Sequence, residues 1–199
     1  VNVQELLQQF DFDPATHIYR LDGVVVPSVT QVLAPLNSWE NVPADILDRA
    51  CDLGRAVHLA TELDDLESLD ENSLSSEVGG YLEAWRRFRR ETGFKPLLIE
   101  HRTRHLVLRF AGTLDREGVY ADELTVLEIK SGARVRAHGV QLAGYALARK
   151  AELALSGYPQ RRAVYLHDDS RYEAPKFTKT SDYPTFIGLL NLHQWRQEP

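Results

Sequence analysis

Cysteine is almost absent from this chain of 199 residues: Cys51 stands alone. An internal disulfide is therefore impossible, and so is a four-cysteine zinc or iron–sulfur site within one chain. A lone thiol fits a reducing compartment without requiring one. Long apolar runs are missing as well, and none approaches the ~20 residues that span a bilayer. No basic stretch followed by an apolar one marks a signal peptide. The first residue is valine and methionine is absent, so a removed targeting segment stays open. The expected location is the cytoplasm of a bacterial or phage-infected cell, with an organelle as the alternative. Excess positive charge is also lacking. A net charge of −6 argues against a protein that coats nucleic acid through a general basic surface. It does not exclude a local basic groove beside an acidic site.

What is present reads as one α/β domain. His17–Leu21 and Val24–Val26 flank Asp22-Gly23, a two-residue hairpin turn. Pro27-Ser28 then opens a short helix with Val29, Val32, Leu33 and Leu36 on one stripe, ended early by Pro35. A helix is expected from Pro43 to about Leu63, with Ile46, Leu47, Ala50, Leu53, Val57 and Ala60 or Thr61 on its apolar face. Residues 64–76 read as an acidic surface loop, and Leu74–Thr92 as a second long helix stopped by Gly93. Strands are expected at Pro96–Arg102, Leu106–Phe110, Gly112–Tyr120 and Leu124–Lys130. A helix follows from about His138 to Leu155, then strands at Arg162–Leu166 and Tyr172–Phe177, and a closing helix at Asp182–Trp195. The order implies a central mixed β-sheet flanked by helices, with an N-terminal helical segment. Residues 1–95 would form the hairpin and a helical wall, and residues 96–199 the core.

Charge is concentrated in a few places. Arg86, Arg87, Arg89 and Arg90 read as a solvated helix face. Arg102, Arg104 and Arg109 form a second group, and Arg134 and Arg136 a third. Lysine is scarce, and Glu128-Ile129-Lys130 is the one place where an acid precedes a lysine by two residues. On a strand, Glu128 and Lys130 share a face while Leu127 and Ile129 take the other. A hairpin through residues 118–123 would bring Asp115, at the end of Gly112-Thr113-Leu114-Asp115, beside Glu128. Taken alone, this triplet also describes a half-exposed strand with an ion pair. Two adjacent carboxylates repel unless a cation lies between them, and Mg²⁺ or Mn²⁺ prefers such oxygen ligands.

These pieces, with Gly54-x-x-x-His58, Glu100 and Gln141-x-x-x-Tyr145, occur in the order found in the PD-(D/E)XK nuclease superfamily. The chain resembles its RecB-like branch in particular. The hairpin and Pro27-Ser28-Val29-Thr30 are similar to the opening of phage exonucleases and of the mitochondrial genome maintenance exonuclease. The resemblance implies a restriction-endonuclease-like core. It implies that Asp115 and Glu128 ligate a metal with the carbonyl of Ile129, that His58 adds a ligand, and that Lys130 is the catalytic lysine. Glu100 would act through water or support a neighbour. Gln141 and Tyr145, one helical turn apart, would align the site or contact the DNA backbone. No iron–sulfur cluster is expected, and any motor would be a separate recombination or replication protein.

Three functions compete. The first is a metal-dependent DNA exonuclease in recombination or end processing. The second is a structure- or single-strand-specific endonuclease of the same fold, which would cut a covalently closed circle. The third is a DNA- or partner-binding module without catalysis, which would show no metal-dependent stabilisation. The plain readings of other residues are structural. Ser28 is expected to cap a helix and Thr30 to pack. His101, His105, His138, His167 and His193 show no paired metal spacing.

Overall fold

A computed structural model describes residues 9–36 and 42–198. The Asp22-Gly23 turn, with both residues at positive φ, closes β2 (Ile18–Leu21) onto β3 (Val24–Val26). A further strand, β1 (Phe10–Asp13), pairs with β2, so the hairpin is a three-stranded sheet. Phe10 and Phe12 carry the alternation that marks this strand, and they pack on Tyr19, Leu21 and Val26. Ser28 caps α1 (Val29–Val32) through a capping box with Gln31.

Two long helices follow, α2 (Ala44–Asp65) and α3 (Ser76–Thr92). The first runs two residues further than the hydrophobic pattern indicates, so Asp64 and Asp65 are its last turn and not loop. Ser75 caps α3 in place of a start at Leu74, and Gly93 ends it in the left-handed region, where the missing Cβ removes the steric penalty. The arginines of α3 are all paired: Arg86 with Asp64, Arg87 with Glu91, Arg89 with Asp65 and Arg90 with Glu83. Among the described residues no helix is long and apolar enough to cross a membrane.

The main sheet has the order β4-β5-β6-β7-β8. Strands β4 (Lys95–His105), β5 (Phe110–Tyr120) and β6 (Glu123–Lys130) form an antiparallel meander. Leu106–Phe110 is not a strand of its own. Residues 106–109 are the turn between β4 and β5, closed by the Arg109 N–H donating to the His105 carbonyl, with Arg109 at φ 52°. The β5–β6 turn is Ala121-Asp122, both at positive φ, as a tight hairpin requires. Helix α4 (Ala137–Glu152) crosses over to β7 (Gln160–Leu166), which is parallel to β6, and the short β8 (Tyr172–Glu173) closes the edge. The mixed sheet flanked by helices is thus the architecture that the element order indicates.

Two cores cover the two faces. Helices α1, α4 and α5 (Asp182–Trp195) pack on one face with Phe110, Val126 and Tyr165; α2 and α3 cover Leu127, Ile129, Val164 and Leu166 on the other. Helix α4 is buried along its length from Gly139 to Arg149 because it lies between the sheet and α5. Its polar residues therefore need buried partners. Arg149 finds one in Glu117, with two bonds of 2.7 and 2.8 Å.

Candidate active site

Backbone alternation builds the centre of the site. The β5–β6 ladder runs from Tyr120↔Glu123 to Arg116↔Leu127 and stops there. Asp115 and Glu128 are the next positions in that register, Glu128 meeting Gln141 of α4 and Asp115 meeting His58 of α2. In place of a ladder bond, the Ile129 N–H donates to Asp115 Oδ2 at 2.7 Å. The separation of the strands therefore aims a carboxylate at the splitting point. Across β5, Glu100 lies between the pairs Ile99↔Arg116 and His101↔Leu114, which sets it opposite Asp115. Glu100 has φ 45°, a region that costs a non-glycine residue roughly 1–3 kcal/mol and persists only where the surroundings impose it.

The other predicted residues arrive from three elements. Lys130, two residues after Glu128, donates to Glu128 Oε1 at 2.9 Å. Gln141 of α4 donates to the same oxygen at 2.7 Å. Tyr145, one turn later, is buried beside Gly112, where a Cβ would lie 2.9 Å from the Tyr145 ring. Glycine at 112 is what lets α4 approach β5 this closely. His58 of α2 reaches Asp115, with Nδ1 3.6 Å from Oδ1. A Cβ at Gly54, one turn before it, would lie 3.8 Å from Ser131 Oγ, an ordinary contact. A cavity of about 450 Å³ opens onto this cluster, and its lining includes Asp115, Glu128 and Lys130.

The site also depends on residues whose sequence context does not mark them. Arg116 is fully buried and donates to Asp65 Oδ2 at 2.7 Å and to Glu100 Oε1 at 2.9 Å. Asp65, also fully buried, accepts from Trp85 Nε1 at 3.0 Å. His58, Thr61 and Asp65 are three and four residues apart on one stripe of α2, and Arg116 meets the stripe at both Thr61 and Asp65. The same guanidinium thus fixes both Glu100 and the helix that carries His58. The spacing from His58 to Asp65 is the available signal, but it needs the true end of α2 to be seen. His138, half-buried, bonds Tyr165 Oη at 2.7 Å beside Lys130 on the next strand. Burial and the Lys130 charge push it down to about 4, so it is neutral.

The electrostatics show crowded carboxylates. Burial and the neighbouring Asp115 push Glu100 up to about 8, with Arg116 opposing. Burial and Asp115 also push Glu128 up to about 7, against Lys130 and Gln141. Burial alone would lower Lys130, but Glu128 and Asp115 outweigh it and hold the ammonium. Burial, with Glu128 and Asp115, raises the Tyr145 hydroxyl well above its usual range. His58, Glu100 and Asp115 each offer a ligand atom, and these atoms lie within 4.8 Å of one another. Glu128 Oε2 is buried with no hydrogen-bond partner among the described residues. Glu128 stands outside that set of three, with its Oε1 held by Lys130 and Gln141. The His58, Glu100 and Asp115 set, with an unpaired carboxylate oxygen on Glu128, fits a hard divalent cation.

The raised values give a pH dependence with a definite sign. In the folded, metal-free chain Glu100 and Glu128 keep protons that unfolded carboxyls have already lost. Their stabilising contribution is complete below the ordinary glutamate value of 4.5 and is lost as pH rises through about 7 and about 8. In chelator, the wild-type Tm is expected to fall between about pH 5 and about pH 8 by more than that of a Glu100→Gln/Glu128→Gln variant. Parallel curves for the two proteins would show that these carboxyls are not crowded.

No family model matches the chain, and no curated protein does. Among solved structures, that of SSO0001 is similar at 18% identity over 73% of each chain, with a TM-score of 0.39. An alkaline exonuclease (LHK-Exo) from Laribacter hongkongensis is similar at 15% identity, over 85% of this chain and 88% of its own, with a TM-score of 0.43. The same exonuclease in complex with dAMP gives 14% identity, 86% and 87% coverage and a TM-score of 0.39. Likenesses at such identities and scores assign no activity to this chain.

Proposed function

We propose that the chain is a metal-dependent deoxyribonuclease of the PD-(D/E)XK kind, acting as an exonuclease on linear DNA. The observation that carries this reading is the convergence of Asp115, Glu128 and Lys130 at the parted end of two strands, with Glu128 Oε2 left unpartnered. Asp115 and Glu128, the Ile129 carbonyl and His58 would hold Mg²⁺ or Mn²⁺, and Glu100 would join directly or through water. When bound, such an ion polarises a phosphodiester and acidifies its water. The chain's own contributions are positional and electrostatic. Lys130, held as ammonium by Glu128, orients the attacking water and stabilises charge on the phosphate oxygens. Gln141 keeps the Glu128 carboxylate turned toward the centre. A terminus fits better than an uninterrupted duplex because the cavity is bounded by α2 on one side and by the N-terminal sheet on the other, through Phe12, His17 and Tyr19.

The test uses end-labelled linear duplex, linear single-stranded DNA and a covalently closed circle, each with Mg²⁺ or Mn²⁺ and with chelator. The expected outcome is metal-dependent release of nucleotides from linear DNA with the circle spared. Cutting of the circle would replace exonuclease by endonuclease. No cleavage of any substrate under any condition would overturn the nuclease reading.

A further inference from the structure

The arginines around the site differ in what they touch. Arg116 is engaged by Asp65 and Glu100, and Arg104 lies beside Glu152 at 3.7 Å. Arg109 donates to the Leu21 carbonyl. Arg102, on the same strand as Glu100, is exposed, and among the described residues it enters no ion pair and no side-chain hydrogen bond. Its guanidinium carbon sits 4.5 Å from the centroid of the Phe12 ring. Phe12 is itself braced, edge-on to His17 at 5.1 Å and tilted against Tyr19 at 4.7 Å. Tyr19 in turn shares a 2.7 Å hydrogen bond with Thr113, two residues before Asp115 on β5. Phe12, His17, Tyr19 and Arg102 line the same cavity as Asp115, Glu128 and Lys130.

Arg102 and Arg104 both tie β4 to the N-terminal sheet, over Phe12 at 4.5 Å and over Phe10 at 4.9 Å. Of the two, Arg104 also has a carboxylate partner in Glu152, whereas Arg102 lines the cavity and has none among the described residues. At the mouth of a cavity lined with acids, an unpaired guanidinium backed by an aromatic ring suits a ligand that is anionic and flat-faced at once. A nucleotide within a strand has both properties. Its phosphate can take the two-pronged donors of arginine, and its base can stack on a guanidinium or aromatic face whatever its sequence.

We propose that Arg102, braced by Phe12 and His17, is a strand-holding subsite that takes one nucleotide of single-stranded nucleic acid next to the phosphate under attack. This rests on the nuclease reading and extends it, assigning the small N-terminal sheet a role in substrate grip. The Tyr19–Thr113 bond sets the distance between this grip and Asp115.

Binding, not cleavage, tests it. A short fluorescein-labelled oligothymidylate is titrated with protein in calcium, followed by anisotropy at several salt concentrations, while cleavage is assayed separately in magnesium. Arg102→Ala is expected to weaken binding about tenfold and to lower the slope of log affinity against log salt by about 0.7, the value for one phosphate contact on a single strand. Arg102→Lys should restore the slope but not the affinity, because an ammonium is not planar. Phe12→Leu, which keeps the sheet packed, should weaken binding without changing the slope. Wild-type binding and cleavage with Arg102→Ala unchanged in affinity and slope would overturn this subsite and leave the nuclease reading standing. A wild type that neither binds nor cleaves would overturn both.

Discussion

Asp115→Asn is expected to abolish cleavage while leaving the fold intact. Asparagine has the size of aspartate, and its carbonyl oxygen can still accept the Ile129 N–H that Asp115 accepts at 2.7 Å. What disappears is the charge opposite Glu100, next to Glu128 and 3.6 Å from His58. If that charge holds a divalent ion, its removal should cost on the order of a thousandfold or more in rate. Stability should move the other way. Asp115 is a cause of the raised Glu100 and Glu128 values, so neutralising it relieves repulsion in the metal-free chain. The variant is therefore expected to melt no lower than wild type in chelator and to lose the rise in Tm that Mn²⁺ gives wild type. Thermal melts with and without Mn²⁺, beside a cleavage assay, check both halves. Activity within about tenfold of wild type would remove Asp115 from the mechanism.

Arg116→Met is expected to give the largest loss of stability. Arg116 and Asp65 are both fully buried side chains 2.7 Å apart. Removing one member of such a pair leaves an uncompensated buried charge, typically at a cost of about 3–5 kcal/mol. For a chain of this size that is a drop in Tm of roughly 10 °C. Asp65 keeps Arg89 and Trp85 as partners, which places the loss toward the lower end. The double variant Arg116→Met/Asp65→Leu should recover part of it, because the stranded carboxylate is gone. Urea unfolding of the two single variants and the double measures the coupling. Strict additivity would show that the pair does not act as a unit.

Much of the site is legible without the fold because its rules are local. The two-residue period of a strand puts Glu128 and Lys130 on one side and Ile129 on the other. The turn residues Asp22-Gly23 and the cap Ser28 act over two to four positions, as does the helical stripe that carries His58. Residues 106–109 mislead because an apolar Leu-Val-Leu run looks like strand until the chain is seen to reverse there. Strand β1 escapes the hydrophobic pattern because Phe10 and Phe12 give only two apolar positions before a turn.

The sequence by itself settled the alternation of β6, the hairpin turn at Asp22-Gly23 and the order of the long helices, since each needs only neighbours a few residues away. The tertiary structure alone decided that Arg116 would close on Asp65, that Glu100 would be bent into a left-handed conformation opposite Asp115, and that the N-terminal sheet would reach the cavity. Those contacts join residues 16 to 94 positions apart. Which distant charges meet is set by how buried faces pack and by the need to pair what packing removes from water.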